Sequence, residues 1–518
     1  MPGPFRLAII ADAHFHDPRG DFGGAGVDIG GERLVLRSWR DTATGIRAVN
    51  ESAAALIAAL DRIVALGIRH VILAGDYSDD GQAETVRRLA TLLHRYQNRH
   101  GLRFHAIPGN HDVLASHGKH TSARIVTGPG QTARLTSDAA QGGLVTPAMR
   151  CLGQPAGLMP MAAFGLFRQA DHLHWESPFG ADDAPQARMY DAVAADRSVS
   201  HRLMDASYLV EPEPGLWLLL LDANVYEPRP GRTDPSRKKA FLDPSEAGWN
   251  ALLRVKPHLL HWIADVTARA AAQGKVLVTV SHYPVLDPFL HANGSEAALT
   301  PASTLAVRTP GPAVAQALIA AGVRWHAGGH LHLHGANMLD GLTDVALPSL
   351  VTFPPAFTVV TAGADGIAAA AFSVADLPPD PMLTALYRAE GRTDPAMPYG
   401  AFLAAQFRAR AHAVRLPRDW PRAVLDWMQG RHVGDLAGLL DPPHCLPRHA
   451  LPDYPLTDLA ADIYLLRDGG TLAPDHISPA RLHLCRSLAG LGDATADPVA
   501  SVASFWRRFL SVIPANPP

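Results

Sequence analysis

The chain has 518 residues, 47% of them hydrophobic and 18% charged, a composition typical of a soluble globular protein and not of a disordered or membrane-embedded one. This length exceeds what one ordinary core needs, so we expect two domains or one large domain with additions. A formal net charge of -3 at pH 7, with no run of Lys or Arg, excludes a general attraction to nucleic acid or anionic lipid.

The start of the chain and its cysteines predict a cytoplasmic protein. Residues 1–4 lead directly into a strand-like segment, which leaves no room for a signal peptide. The three cysteines, Cys151, Cys445 and Cys485, lie far apart without CxxC spacing, as expected in a reducing compartment. No apolar run approaches the roughly 18 residues that a membrane span needs. We therefore expect no membrane or nucleic-acid partner, and the sequence leaves a homo-oligomer open.

The first third of the chain alternates strands and helices. Short apolar runs at 7–11, 70–74 and 104–107 predict strands that are buried on both faces, and amphipathic helices lie between them. This order predicts parallel strands joined by right-handed crossovers. Periodicity weakens from about 114 to 200, where Gly, Pro, Gln and Asp are frequent, and we predict an insertion there.

The middle of the chain predicts a second sheet. Apolar runs that are typical of buried strands recur at 216–221, 276–280 and 323–326. We expect the segments 344–347 and 357–362 to be strands that close this second sheet. Together with the first third, these elements predict an α/β fold built as a layered sandwich.

The composition changes at residues 378–381, where three prolines and an aspartate occur together. Beyond this point the pattern is helical, with prolines at first-turn positions of predicted helices. We therefore predict a main domain over 1–377, with its insertion at about 114–200, and a C-terminal helical domain over 380–518. Since no titratable cluster appears in the helical domain, we expect it to stabilise or oligomerise the protein.

Five short motifs stand out, and four of them come directly after predicted strands. They are Asp12-Ala13-His14, Gly75-Asp76, Gly109-Asn110-His111-Asp112, Ser281-His282 and Gly329-His330-Leu331-His332. Because loops beyond the carboxyl ends of strands converge in an α/β sheet, these side chains can meet at one place. Carboxylate, amide and imidazole ligands suit zinc, manganese or iron. Each motif alone is weak, but their joint occurrence in this order indicates a metal centre.

The order D-x-H, GD, GNH[DE], H, GHxH over residues 5–375 resembles the signature of the calcineurin-like metallophosphoesterases, with every motif intact. The resemblance implies an αββα sandwich with two divalent or trivalent ions of Mn, Fe or Zn. It implies one metal site formed by Asp12, His14, Asp76 and His332. It implies a second site formed by Asp76 as the bridge, Asn110, His282 and His330. His111 is implied to lie beside the metals as a catalytic residue that does not ligate them.

Two cations about 3.5–4 Å apart can clamp the attacking and leaving oxygens of an in-line displacement. Metal binding lowers the pKa of water to about 7, which makes a bridging hydroxide available as the nucleophile. His111 would then stabilise the developing charge or protonate the leaving alkoxide. The expected partner is a small-molecule phosphoester.

The motifs also favour one class of phosphoester. Protein phosphatases of this superfamily resemble GDxVDRG and GNHE, whereas here Asp80 replaces the Arg and Asp112 replaces the Glu. The pattern looks more like that of bacterial cyclic-nucleotide and glycerophosphodiester phosphodiesterases, and we predict a phosphodiesterase. A phosphomonoesterase or nucleotide phosphatase on the same site is the alternative. A catalytically inactive scaffold fits less well, because no ligand is missing.

Three further residues are candidates for substrate binding because they lie near the motifs: Tyr283, His16 and His117. For Tyr283 the alternative is ring packing next to a metal ligand. For His16 and His117 the alternatives are a solvated loop and an ordinary surface position.

Overall fold

The structure, a computed structural model, describes residues 3–289, 296–440 and 453–513. Cys151 and Cys485 are buried free thiols, and Cys445 lies outside the described residues. Within the described ranges, none of the helices combines the length and the apolar character needed to cross a bilayer.

The strands of the main domain follow the apolar runs of the sequence. Their bounds are β1 (Phe5–Ile10), β2 (Val27–Ile29), β3 (Glu32–Leu34), β4 (His70–Ala74), β5 (Arg103–Ile107), β6 (Ser122–Gly128), β7 (Gln131–Thr136), β8 (Leu144–Val145), β9 (His174–Glu176), β10 (Met189–Val193), β11 (Ser200–Met204), β12 (Tyr208–Glu213), β13 (Leu216–Leu221), β14 (Val276–Ser281), β15 (Trp325–Gly328), β16 (Gly335–Leu339), β17 (Leu342–Ala346), β18 (Ala356–Gly363) and β19 (Gly366–Ser373).

The helices lie between these strands and after them. Their bounds are α1 (Trp39–Thr44), α2 (Ser52–Ala65), α3 (Ala83–His100), α4 (Asn110–Val113), α5 (Pro244–Val255), α6 (Pro257–Ala272), α7 (Glu296–Leu299), α8 (Thr304–Arg308), α9 (Pro312–Ala320), α10 (Pro381–Ala389), α11 (Tyr399–Arg410), α12 (Leu416–Asp419), α13 (Arg422–Met428), α14 (Val433–Leu440), α15 (Leu456–Gly469), α16 (Pro479–Ala489) and α17 (Val502–Leu510).

The strands form two main sheets. The first has five strands in the order β19-β18-β1-β4-β5, with β1, β4 and β5 parallel. The second has seven strands in the order β16-β17-β15-β14-β13-β12-β9, with β13, β14, β15 and β17 parallel. All parallel strands are fully or largely buried, as expected for strands covered on both faces.

One predicted pairing is wrong. The strand at 357–362 does not close the second sheet, because β18 pairs antiparallel with β1 in the first sheet, where Leu7 lies opposite Val360. The segment at 344–347 does belong to the second sheet, as β17. A buried strand carries the same apolar pattern in either sheet, so the sequence alone could not distinguish them.

The two sheets pack face to face, through contacts of β13 with β5 and of β14 with β18. Helices cover the outer faces, with α3 against β5 and α6 against β14. Helix α2 buries Ala55, Leu56, Ala59, Leu60 and Ile63 at helical spacing. The predicted αββα sandwich with a helical C-terminal region is therefore confirmed.

The segment predicted as an insertion contains a small sheet of β6, β7 and β8, and its strand β9 extends the edge of the seven-stranded sheet. The C-terminal helices share the apolar core of the sandwich, to which Phe402, Tyr464 and Phe505 all belong. Helix α11 continues without a break through a π-helical turn (Ala411–Arg415) into α12. The predicted domain boundary near residue 380 stays a prediction.

Candidate metal centre

The five motifs all follow the carboxyl ends of parallel strands. Loops after β1, β4 and β5 of the first sheet carry Asp12, His14, Asp76, Asn110 and His111, while loops after β14 and β15 of the second sheet carry His282, His330 and His332. Because the two sheets pack face to face, these loops meet at one end of the sandwich. The structure thus brings together all seven predicted ligands and His111.

Asp12, His14 and His332 form a first cluster whose candidate ligand atoms all lie within 4.8 Å of one another. His332 Nε2 is 3.0 Å from Asp12 Oδ1 and 3.4 Å from His14 Nε2. Asp12 and His14 are buried, and His332 is mostly buried. Three ligand groups therefore face one small space.

Asp76, His282 and His330 form a second cluster of the same size. His282 Nε2 lies 3.3 Å from Asp76 Oδ2 and 3.2 Å from Asn110 Oδ1. The same Asp76 Oδ2 is 3.8 Å from His14 Nε2 of the first cluster. Asp76 therefore lies between the two clusters, where a bridging carboxylate is expected.

The backbone at this site adopts an uncommon conformation. Left-handed φ angles between 39° and 68° occur at five of the seven predicted ligands: Asp12, His14, Asp76, His330 and His332. Such a conformation costs of order 1–3 kcal/mol for each non-glycine residue and occurs most often at functional sites. The surrounding fold must therefore stabilise the ligand loops.

Three motif glycines allow the loops to approach each other closely. A Cβ atom at Gly109 would lie 2.2 Å from Asp76 Oδ1, and one at Gly329 would lie 2.2 Å from Asp12 Oδ2. A Cβ atom at Gly75 would lie 2.5 Å from His282 Nδ1. At each of these three positions, any residue other than glycine would clash with a neighbouring ligand side chain.

Asp112 connects two of the ligand loops. Its carboxylate accepts hydrogen bonds from the Gly109 N–H (2.8 Å), the Ser78 N–H (2.8 Å) and the Ser78 hydroxyl (2.7 Å). Burial and the nearby Asp76 raise the pKa of Asp112 to about 7. Its role is to fix the loop of Asp76 against the loop of Asn110.

The donor set fits metal ions. His330 Nε2 is buried and has no hydrogen-bond partner among the residues that the structure describes. His282 directs Nδ1 at the Ala74 carbonyl, 3.1 Å away, which leaves the Nε2 lone pair for a metal ion. A buried imidazole nitrogen without a partner is costly unless a ligand binds it, so His330 favours an occupied site.

The ionisation states also suit metal binding. Burial lowers the pKa of His14 and of His330 well below the usual value, so both imidazoles are neutral. Burial alone would raise the pKa of Asp76, but His282 and His111 hold it well below its usual range. Against the effect of burial, Asp76 and Asp12 raise the pKa of His282 to about 9. Without a metal ion, the proton on His282 thus supplies the positive charge beside Asp76.

Arg47 was not predicted, because it belongs to no motif and lies in the loop before α2. Its Nη1 donates to His14 Nδ1 at 2.8 Å and to the Asp79 carbonyl at 2.9 Å. A His14 that ligates a metal through Nε2 carries its proton on Nδ1, where it would face a group that can only donate. Metal binding through His14 Nε2 therefore requires the Arg47 guanidinium to turn away from His14 Nδ1.

His111 is positioned by two acidic groups. Its backbone N–H donates to Asp76 Oδ1 at 2.7 Å, and its Nδ1 lies 2.6 Å from Asp80 Oδ1. Burial and Arg47 lower the pKa of His111, but Asp76 and Asp80 outweigh them and raise it overall. His111 exposes 28% of its side chain and can reach a substrate, whereas ligands such as Asp12 and His282 are fully buried. In the sequence, Asp80 was noted only because it replaces an Arg of the protein phosphatases, and its contact with His111 was not predicted.

A cavity of about 610 Å³ opens over this site, and His111, His330 and His332 form its inner end. The three predicted substrate-binding residues do not line it. Tyr283 is buried and donates its hydroxyl to Asn224 at 3.1 Å, and His16 is buried with Nε2 on the Val35 carbonyl at 2.8 Å. His117 is exposed beside Ser116. Their role in substrate binding stays a prediction.

The first part of the chain is similar to a known protein family. Residues 5–143 match the family model of the calcineurin-like phosphoesterases, and this range contains the first three motifs. Over residues 5–143 the chain is thus similar to the calcineurin-like phosphoesterases, as its motifs predicted; this superfamily is a class of phosphoester hydrolases that use a dinuclear metal centre. A search of curated proteins found no match.

Several solved structures are similar at low identity. A dimetal phosphatase from Danio rerio is 14% identical, with 72% of this chain and 100% of that chain covered and a TM-score of 0.37. A putative 5'-nucleotidase from Staphylococcus aureus is 11% identical (75% and 58% covered, TM-score 0.33). A phosphopantetheinyl hydrolase from Mycobacterium tuberculosis is 12% identical (67% and 91% covered, TM-score 0.27). At such TM-scores, these similarities indicate nothing about the substrate of this chain.

Proposed function

We propose that this protein hydrolyses phosphodiesters by in-line attack of water at a centre of two metal ions. The observation that carries the proposal is the position of Asp76, whose Oδ2 lies 3.3 Å from His282 Nε2 and 3.8 Å from His14 Nε2. One carboxylate thus lies within reach of both ligand clusters. When bound, the two ions would supply Lewis-acid activation of water and neutralise charge on the phosphate.

The protein's own residues would supply the remaining chemistry. His111 faces the cavity, and Asp80 holds its Nδ1, so its Nε2 is free to donate a proton to the departing alkoxide. Asn110 would contribute a neutral oxygen and so limit the negative charge that faces an anionic phosphate.

Charge favours a diester over a monoester. Asp80 lines the cavity at the position where the protein phosphatases carry an Arg that binds phosphate. Its pKa is lowered by the hydrogen bond with His111 and by Arg47, against the effect of burial, so it carries a negative charge. Where the protein phosphatases offer a cation to the second charge of a monoester dianion, this site offers a carboxylate that is already paired with His111 and Arg47. The loss of that cation favours a diester, which carries only one charge.

The test compares two chromogenic substrates on metal-reconstituted protein. We expect bis(p-nitrophenyl) phosphate to be hydrolysed faster than p-nitrophenyl phosphate, with Mn, Fe and Zn each tested. The metal-free protein should be inactive on both. Hydrolysis of the monoester with none of the diester would overturn the preference and leave a phosphomonoesterase on the same site.

A further inference from the structure

The cavity extends from the metal centre to the C-terminal helices. Its inner end contains His111, His330 and His332, and its outer wall includes Arg410, from the last turn of α11. A π-helical turn (Ala411–Arg415) follows at this point, and three of its residues line the cavity. Since π-helical turns occur frequently at functional sites, the helix has an irregularity where it faces the substrate cavity.

Charges on the cavity wall are not fully balanced. Four of its arginines have carboxylate partners: Arg37 and Arg47 with Asp79, Arg415 with Asp468, and Arg418 with Asp419. Among its five aspartates, Asp41 alone has no such cationic partner within the described part of the chain; it accepts the Arg124 backbone N–H instead. Two cations, Arg308 and Arg410, have no carboxylate partner among the residues that the structure describes.

Arg410 lies near two other arginines of this wall, Arg418 and Arg415, and near Asp419. Its Nη1 donates to the Thr44 carbonyl at 3.0 Å, and the rest of its guanidinium makes no hydrogen bond to the described residues. Burial and the nearby Arg418 and Arg415 lower the pKa of Arg410, so adding an anion here would relieve repulsion between cations. A guanidinium with free N–H groups in a cavity is suited to a carboxylate or phosphate.

The cavity wall also has a sizeable apolar part, formed by Leu305, Leu331, Leu333, Phe353, Phe407 and Val414. A ligand that extends from the metal centre to Arg410 therefore meets both apolar side chains of the wall and a cation.

We propose that Arg410 binds a second anionic group of the substrate, so that the natural substrate is a phosphodiester with a carboxylate or phosphate remote from the scissile bond. This inference rests on the proposed phosphodiesterase function. It assigns to the C-terminal helices a part in substrate selection, beyond the stabilising role predicted from the sequence.

The test uses matched pairs of diesters. All three series are diesters with a p-nitrophenyl group and an unbranched alkyl group on the phosphate. In the first series the alkyl chain is uncharged, in the second it ends in a carboxylate, and in the third it ends in a phosphonate. Chain length is increased stepwise in each series. We expect at least one length at which the terminal anion raises kcat/KM by about tenfold or more, as a charged hydrogen bond allows.

Variants then show which arginine causes the preference for a terminal anion. Arg410→Gln should remove most of the preference for the charged diesters, and Arg410→Lys should restore part of it. Arg486→Gln, an exposed arginine on α16, is the matched control and should keep the preference. Loss of the preference in Arg308→Gln but not in Arg410→Gln would overturn the assignment.

A binding measurement avoids turnover. By calorimetry, alkylphosphonates that end in a carboxylate should bind the wild type about tenfold more tightly than alkylphosphonates without one, and Arg410→Gln should reduce this ratio. If the alkyl diesters are hydrolysed but a terminal anion gives no advantage at any length, this inference fails and the phosphodiesterase proposal stands. If no diester is hydrolysed, the phosphodiesterase proposal fails and the inference fails with it.

Discussion

The two ends of the cavity are built in different ways. At the inner end, short loops directly after parallel strands hold the ligand groups, and glycines such as Gly329 bring these loops within contact distance. At the outer end, long side chains from helices far apart in sequence form ion pairs, as Arg415 does with Asp468 and Glu296. The inner end is thus fixed by backbone geometry and the outer end by side-chain charge.

This difference indicates where changes are tolerated. Replacing a group at the inner end should affect metal binding or the chemical step, since every ligand there is held by its neighbours. Replacing a group at the outer end should affect stability or substrate choice while the metal ions remain bound. The following variants test this division, from the largest expected effect to the smallest.

Asp76→Ala should abolish metal loading and activity together, because both clusters lose the carboxylate that lies between them. Elemental analysis and diester hydrolysis are measured on the same preparation. Asp365→Ala, at an exposed turn between β18 and β19, is the matched control and should keep both properties. A metal-loaded, active Asp76→Ala protein would show that the two clusters do not share a ligand.

His111→Ala should lower turnover by about a hundredfold to ten-thousandfold, as expected for loss of a general acid. Both metal ions should remain, because the hydrogen bond from His111 to Asp76 comes from the backbone N–H, which alanine keeps, and the His111 ring lies edge-on to His14 without forming part of either ligand cluster. Steady-state kinetics and metal content are measured together. Loss of the metal ions in this variant would contradict its assigned role.

Glu296→Gln tests the outer end. Glu296 and Arg467 form a buried ion pair, and Arg415 lies 3.4 Å from the same carboxylate. Because Arg467 and Arg415 would then share the single carboxylate of Asp468, one positive charge in this buried cluster would lack a counter-charge. We therefore expect the free energy of unfolding to fall by about 3 kcal/mol with metal loading unchanged. The control is Asp426→Asn, which removes the exposed ion pair of Asp426 with Arg422. This control should change the free energy of unfolding by less than about 1 kcal/mol.

The same pair predicts a pH dependence. Burial alone would raise the pKa of Glu296, but Arg467 and Arg415 lower it to about 2, below the ordinary value of 4.5. A depressed pKa means that the pair contributes its full stability above pH 4.5 and loses it as the pH falls towards 2. The difference in unfolding free energy between the wild type and Glu296→Gln should therefore shrink over this range. A difference that is constant with pH would show that the Glu296 charge does not stabilise the fold.

Gly329→Ala should weaken metal binding by about tenfold to a hundredfold, because the new Cβ would lie 2.2 Å from Asp12 Oδ2 and displace that ligand. Gly335→Ala is the matched control, since its Cβ would meet nothing within 4 Å. Titration with Mn²⁺ measures both variants. Equal affinities would show that the loop of Asp12 adjusts without cost.

The sequence predicted the sandwich and the groups at its inner end for a physical reason. Parallel strands place their following loops at the same edge, so motifs after β1, β4, β5, β14 and β15 had to be neighbours. Three of the five motifs join a ligand group to a glycine, a combination that is visible in the letters alone.

The remaining features depend on tertiary contacts that no local pattern records. Arg47 approaches His14 from a loop outside every motif, and Asp80 contacts His111 from a different strand end. Left-handed φ angles at residues such as His330 arise from the packing of the loops. The part of the C-terminal helices in the cavity depends on where α11 docks, and periodicity gives no information on docking.

The most direct test of the central claim is anomalous X-ray diffraction from crystals of the protein saturated with Mn²⁺. We expect two ions about 3.5–4 Å apart, one beside Asp12, His14 and His332, the other beside Asn110, His282 and His330, with Asp76 bound to both. A single ion at saturation, or two ions that do not share Asp76, would contradict the account.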